Sequence, residues 1–163
     1  MKKLFIIILI SLPAILTAGS AGRWDIGGKV GLEQNNSSLG LKAAVKAEYM
    51  ISEMITWRTD FEVMLPELND VARVDISVPS NLLYYPFASR FMIDPYIGPG
   101  LTYRHTWDND NQLGLNLLSG VNFRVIRDQV FGIEAKYTFL LVPVIKGYWD
   151  IGLTGTWELS FGK

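Results

Sequence analysis

The chain has 163 residues, enough for one domain with a sizeable core, and its 49% hydrophobic content excludes general disorder. Fifteen Lys plus Arg against sixteen Asp plus Glu leave a formal charge of -1, and no basic run stands out beyond the N-terminus, so nucleic acid is not an expected partner. Cysteine is absent and His105 is the only histidine, which leaves carboxylates as the sole metal donors in number; no metal or cofactor is expected.

Met1-Lys2-Lys3 is followed by the apolar run "LFIIILISLPAIL" and the small residues "TAGSAG", the order of a cleavable export signal over residues 1–21. Leu4 to Leu16 is short of the roughly 20 apolar residues that span a bilayer as a helix. Residues 22–163 are then a single domain, and losing Lys2 and Lys3 leaves thirteen basic and sixteen acidic residues, a formal charge of about -3.

From Trp24 onward apolar and polar residues alternate, and no stretch keeps a helical stripe, so the domain is predicted to be all-β. The first run sets Trp24, Ile26, Gly28, Val30 and Leu32 against Asp25, Gly27, Lys29, Gly31 and Glu33, and "NNSS" at 35–38 turns the chain. The second sets Leu39, Leu41, Ala43, Val45, Ala47 and Tyr49 against Gly40, Lys42, Ala44, Lys46 and Glu48, with a turn at 51–54. The third, Ile55 to Leu65, opposes Trp57, Phe61 and Val63 to Arg58, Asp60 and Glu62. A fourth is expected from Ala72 to Val78, with Arg73, Asp75 and Ser77 on its polar face, ending where Pro79 breaks the period and leaving 79–93 as a long connection.

The fifth run, "DPYIGPGLTYRH", carries Pro95 and Pro99 and is expected to be distorted, and 106–112 reads as a polar loop. The sixth, Leu113 to Val125, opposes Leu115, Leu117, Val121 and Phe123 to Gly114, Asn116, Leu118, Gly120, Asn122 and Arg124. "VFGIEAKYTF" at 130–139 opposes Phe131, Ile133, Ala135, Tyr137 and Phe139 to Gly132, Glu134, Lys136 and Thr138. After a connection at 140–147, the eighth run opposes Trp149, Ile151, Leu153, Trp157, Leu159 and Phe161 to Asp150, Gly152, Thr154, Thr156, Glu158 and Ser160. Eight strands of similar length with mostly short connections predict an antiparallel up-and-down meander that closes into a barrel and so removes its edges.

Which face meets water follows from composition. The polar face carries Gly27, Gly31, Gly40, Gly114, Gly120, Gly132 and Gly152 among charges of both signs. On a solvent face mid-strand glycine weakens the strand and packs nothing, whereas inside a narrow barrel it makes room for long charged side chains. The polar face is therefore read as the lumen and the apolar face as lipid-facing. Trp24, Tyr49, Trp57, Tyr137, Trp149, Trp157 and Phe161 are expected at the two membrane interfaces, where a ring with a polar tip fits.

From the export signal through eight alternating strands to "WDIGLTGTWELSFGK", the chain resembles the small outer-membrane β-barrel family that includes the OmpA transmembrane domain and OmpX. The resemblance rests on pattern across the whole domain, with local echoes in "DPYIGPGLTYR" and the last strand; it departs at the end, where Phe161-Gly162-Lys163 replaces a terminal aromatic. It implies the outer membrane of a diderm bacterium, outer-membrane lipid as surroundings, the barrel assembly machinery as a partner in biogenesis, a monomer, and both termini in the periplasm.

The lumenal candidates are Lys29, Lys42, Lys46, Arg58, Arg73, Arg124 and Lys136 with Glu33, Glu48, Asp60, Glu62, Asp75, Glu134, Asp150 and Glu158. Buried charges persist only when paired, and a lumen of eight strands is narrow enough for side chains to fill, so these predict a plugged, ion-paired interior rather than an open path. The expected function is a non-enzymatic structural or surface-interaction barrel. The alternatives are a narrow pore through the same charges, a soluble lipocalin-like carrier, for which Gly22-Arg23-Trp24 supplies a G-x-W match, and a membrane acyl hydrolase centred on His105.

Overall fold

A computed structural model describes residues 23–35, 38–67, 73–87, 92–108, 110–126, 129–143 and 145–159. The alternation produces eight strands: β1 (Trp24–Asn35), β2 (Ser38–Met50), β3 (Ile55–Leu65), β4 (Asp75–Tyr84), β5 (Ile93–His105), β6 (Asn111–Ile126), β7 (Gln129–Val142) and β8 (Lys146–Leu159). Each pairs antiparallel with its sequence neighbour, and β1 also pairs with β8, so the sheet closes into a barrel. Residues 1–21, expected to be the export signal, and Phe161 lie outside the described residues.

Side-chain direction follows the period of two. In β2 the even-numbered Lys42, Lys46 and Glu48 are buried while Leu39, Leu41 and Val45 are exposed. The outward face is apolar around the barrel: Val30 is 58% exposed, Val45 62%, Leu153 60% and Ile151 62%. Buried charge and exposed aliphatic surface invert the layout of a water-soluble barrel, which corrects the lipocalin-like alternative: among the described residues the interior is lined largely by charged and polar side chains.

The structure departs from the sequence reading in β4 and in several loops. β4 does not end at Pro79 but runs through it to Tyr84, and it begins at Asp75, leaving Arg73 exposed ahead of the strand. The missing Pro79 N–H falls at a break in the β3/β4 ladder, between Thr59↔Ser80 and Glu62↔Ser77, where the Thr59 hydroxyl donates to the Pro79 carbonyl at 3.2 Å. β5 is a continuous strand with an unbroken ladder to β6 despite its two prolines, because Pro99 lies in the gap of the β4/β5 ladder between Asn81↔Gly100 and Tyr84↔Ile97, and Pro95 lies beyond that ladder's last pair. The loop expected at 106–112 is shorter, since β6 starts at Asn111, and the connection expected at 140–147 shrinks because β7 reaches Val142 and β8 starts at Lys146.

Candidate functional site: the charged lumen

Small residues on one strand create the space that long residues on the next one fill. A Cβ on Gly152 would lie 2.7 Å from Lys29 Cε, and one on Gly27 would lie 2.7 Å from Lys46 Cε. Gly120 lies under the Tyr96 ring in the same way; a Cβ there would be 2.5 Å from the phenol oxygen. These glycines let the lysine stems and the tyrosine lie flat across the wall and reach the opposite side.

The reach is used for charge pairing. Lys29 Nζ of β1 lies 2.6 Å from Glu134 of β7 and 2.8 Å from Asp150 of β8, and Lys42 Nζ of β2 is 2.5 Å from Asp150 and 3.4 Å from Glu62. Lys136 Nζ donates to Glu62 at 2.6 Å and sits 3.5 Å from Asp150. Arg58, with no exposed surface, is held by two carboxylates at once, donating to Asp60 at 2.8 and 2.9 Å and to Glu134 at 2.7 and 3.2 Å. Lys46 pairs with Glu48 at 3.3 Å, while the Tyr96 and Ser77 hydroxyls donate to Glu134 and Glu62, each at 2.9 Å. Five cations (Lys29, Lys42, Lys46, Arg58, Lys136) thus meet five carboxylates (Glu48, Asp60, Glu62, Glu134, Asp150), a neutral set in which every charge has an opposite partner. That balance is what makes burial of ten ionised groups tolerable.

A second cluster lies toward the end of the barrel away from the termini, called here the far mouth. Arg104 donates to Glu33 at 2.8 Å and to Asp75 at 2.7 and 3.0 Å, and its guanidinium stands 5.0 Å from the Tyr148 ring centroid. Asp75 also accepts the Trp107 backbone N–H at 2.9 Å, tying the β5/β6 turn to the lumen. A cavity of about 300 Å³ opens here, lined by Arg73, Asp75, Arg104, Trp107, Lys146 and Tyr148 among others. The mouth at the termini holds a cavity of only about 30 Å³, lined by residues including Asp25, Glu48, Tyr85, Asp94, Asn122 and Arg124. The two cavities share no lining residue. The ion network lies between them, beside an apolar cluster of Leu83, Tyr85, Tyr96 and Leu118.

Of the lumenal candidates, the structure buries Lys29, Glu33, Lys42, Lys46, Glu48, Arg58, Asp60, Glu62, Asp75, Glu134, Lys136 and Asp150 together. Arg124 is only half-buried and belongs to the terminal mouth, whereas Arg73 is an exposed rim residue, a correction that follows from β4 starting at Asp75, three residues later than expected. The Glu158 side chain lies outside what is described. Arg104 and Tyr96 were not anticipated; the even-numbered series Tyr96, Gly98, Gly100, Thr102, Arg104 carries their signal, masked by the prolines on the other face.

Aromatics gather toward both ends of the outward face. Near the termini Trp24 packs 5.0 Å from Tyr49 and 6.4 Å from Trp57, both of which are buried, and Trp157 is exposed. Toward the other end Tyr137 and Trp149 pack at 4.6 Å. His105 sits at the end of β5 with Nδ1 3.2 Å from Asn111 Oδ1, which also accepts the Tyr103 hydroxyl at 2.5 Å.

No family model matches the sequence, and no curated protein does. Solved structures do match the fold. Neisserial surface protein A superposes with a TM-score of 0.68 at 14% identity, covering 86% of this chain and 98% of that one. The N-terminal β-barrel domain of Pseudomonas aeruginosa OprF gives 0.66 at 12% identity over 85% and 99%. The outer membrane enzyme PagL gives 0.54 at 16% identity over 83% and 99%. At these identities the likeness speaks for architecture: with its closed eight-stranded antiparallel sheet, apolar exterior and charged interior, this chain has the fold of the small outer-membrane β-barrels.

Proposed function

We propose that the chain is exported, loses residues 1–21, and inserts as a monomer into the outer membrane of a diderm bacterium, with its termini in the periplasm and the far mouth outside. There it acts as a non-enzymatic structural or surface-interaction barrel with a closed lumen. The observation that carries this is the neutral network of ten buried charges standing between two separate cavities. An open conduit keeps its charges hydrated, whereas these bind one another. The outward apolar band and the aromatics at its two ends support the lipid setting and match the pattern of transmembrane barrels. The pairing of His105 with an asparagine amide supports the non-enzymatic reading.

The test is to fractionate cells expressing the full chain and to run the membrane fraction with and without boiling, then to record the purified barrel in planar bilayers. The expected result is an outer-membrane, detergent-requiring band of heat-shifted mobility and no conductance steps. A periplasmic soluble species overturns the membrane placement, and stable conductance overturns the closed lumen.

A further inference from the structure

The charge network occupies the β1, β2, β3, β7 and β8 side of the lumen, and the β4–β6 side is built differently. Between Asp75 and Arg104 at the far mouth and Asp94 and Arg124 at the terminal one its inward residues are neutral, and together with Asp94 they fall into three levels set by the strand register. One level joins Asn81, Gly100, Asn116 and Thr138 across β4, β5, β6 and β7. Another, nearer the termini, joins Asp94, Asn122, Gly132 and Thr154 across β5 to β8. Between them lie Leu83 and Leu118, 0% and 1% exposed, with Tyr85 and Tyr96.

Both polar levels contain buried atoms with no hydrogen-bond partner among the described residues. Asn81 Nδ2 and Oδ1, Asn116 Oδ1 and Thr138 Oγ1 are in the first, and Asp94 Oδ1, Asn122 Oδ1 and Thr154 Oγ1 in the second. In each, the polar atoms converge over a glycine. A Cβ on Gly132 would lie 2.6 Å from both Asn122 Oδ1 and Thr154 Oγ1, and one on Gly100 would collide with the side-chain oxygens of Asn81 and Asn116. The threonine hydroxyls and the Asn81 amide can donate and the remaining oxygens only accept, yet none of these atoms bonds to another, so they call for a small third molecule that both donates and accepts. The idle Asn81 Nδ2 needs an acceptor as well, a combination that water meets and a metal cation does not. Between the levels the Leu83 and Leu118 side chains offer water nothing to bind, and the Tyr96 hydroxyl is already committed to Glu134.

We infer that the paired charges block the β1, β2, β3, β7 and β8 side of the lumen, that the β4–β6 side is wet on both sides of a dry septum formed by Leu83, Tyr85, Tyr96 and Leu118, and that this septum is the part that can open as a gate. An apolar constriction a few atoms thick stops water and ions by refusing to wet, even where little steric room is lacking. Opening the lumen here separates no ion pair, since the leucines belong to none. The inference rests on the closed-lumen reading and names what closes it.

The test compares three proteins in planar bilayers, each first checked for a heat-shifted band: the parent chain, L83A/L118A, and the ion-pair variant K46M/E48Q. The expected result is a silent parent, conductance steps from L83A/L118A, and silence from K46M/E48Q. A natively folded L83A/L118A that stays silent overturns the septum while leaving the closed lumen standing, as does conductance from K46M/E48Q alone. A conducting parent overturns the closed-lumen reading itself. The absence of native cysteine provides a second measurement that needs only a single leucine truncation. Cysteines placed singly as N116C and N122C are exposed to silver ions from one side of oriented vesicles at a time. In the parent background N116C reacts from the far-mouth side only and N122C from the terminal side only; adding L118A abolishes both preferences. Reaction from both sides in the parent background, or unchanged sidedness with L118A, overturns the proposal.

Discussion

Lys136→Met tests the electrostatic logic of the lumen most directly, because the side chain is 1% exposed and its replacement keeps most of its length. Its ammonium is the short partner of Glu62 at 2.6 Å and a longer neighbour of Asp150 at 3.5 Å. Asp150 retains Lys29 at 2.8 Å and Lys42 at 2.5 Å, so its loss is small. Glu62 is left with the Ser77 hydroxyl at 2.9 Å and with Lys42 and Lys29 at 3.4 and 3.9 Å. The variant carries one uncompensated buried negative charge, which places its cost at about 3 kcal/mol, the lower end for a broken buried pair. Adding Glu62→Gln restores neutrality and keeps the Ser77 contact, so K136M/E62Q costs about 1 kcal/mol, the scale of a lost hydrogen bond. The assay is urea unfolding in phospholipid vesicles, followed by fluorescence of the five tryptophans with a common slope. A Lys136→Met variant as stable as the parent, or a double variant no better than the single, refutes the balance argument.

Three further outcomes follow from other parts of the barrel. Val45→Arg, in mid-strand on the outward face at 62% exposure, loses about 2–4 kcal/mol in the same unfolding assay if that face meets hydrocarbon, and almost nothing if it meets water. Gly120→Ala pushes the Tyr96 ring off its seat and lengthens its bond to Glu134, costing about 1–3 kcal/mol as overpacking; an unchanged melting temperature in detergent contradicts the packing described. A double-mutant cycle of Tyr137→Leu and Trp149→Leu, whose rings pack at 4.6 Å, gives a coupling of about 0.5–1.5 kcal/mol, and zero coupling means that the two rings act independently in lipid.

The architecture was legible because lipid outside and charge inside impose a period of two on every strand. Runs such as Leu39 to Tyr49 state their facing without any structural help. The lumenal charges were legible for the same reason, since Lys42, Glu62, Glu134 and Lys136 each fall on the polar side of a clean alternation. The reading failed where one face breaks the code. Leu83 and Tyr85 are apolar yet point inward, so the end of β4 looked like an irregular connection, and Leu118 passed as one more member of the polar face of β6. Arg104 was hidden for a different reason: Pro95 and Pro99 argue against a strand unless a gap in the neighbouring ladder absorbs their missing donors, and a ladder gap has no sequence signature. Partner identity was equally illegible, because which lysine meets which carboxylate depends on how strands far apart in sequence come to face one another across the lumen.

The seam of the barrel governs when the fold can form. β1 and β8 are joined by a register running from Trp24↔Leu159 to Gln34↔Trp149, so the first strand to be synthesised finds its second neighbour only in the last. Until then the nascent sheet has two raw edges, and its apolar face, which has no interior core to hide in, stays open to whatever surrounds it. Maturation is therefore necessarily post-translational, and a chain that stops before Asp150 is not a slightly shortened barrel but an open ribbon, lacking both the clasp and the carboxylate on which Lys29 and Lys42 converge.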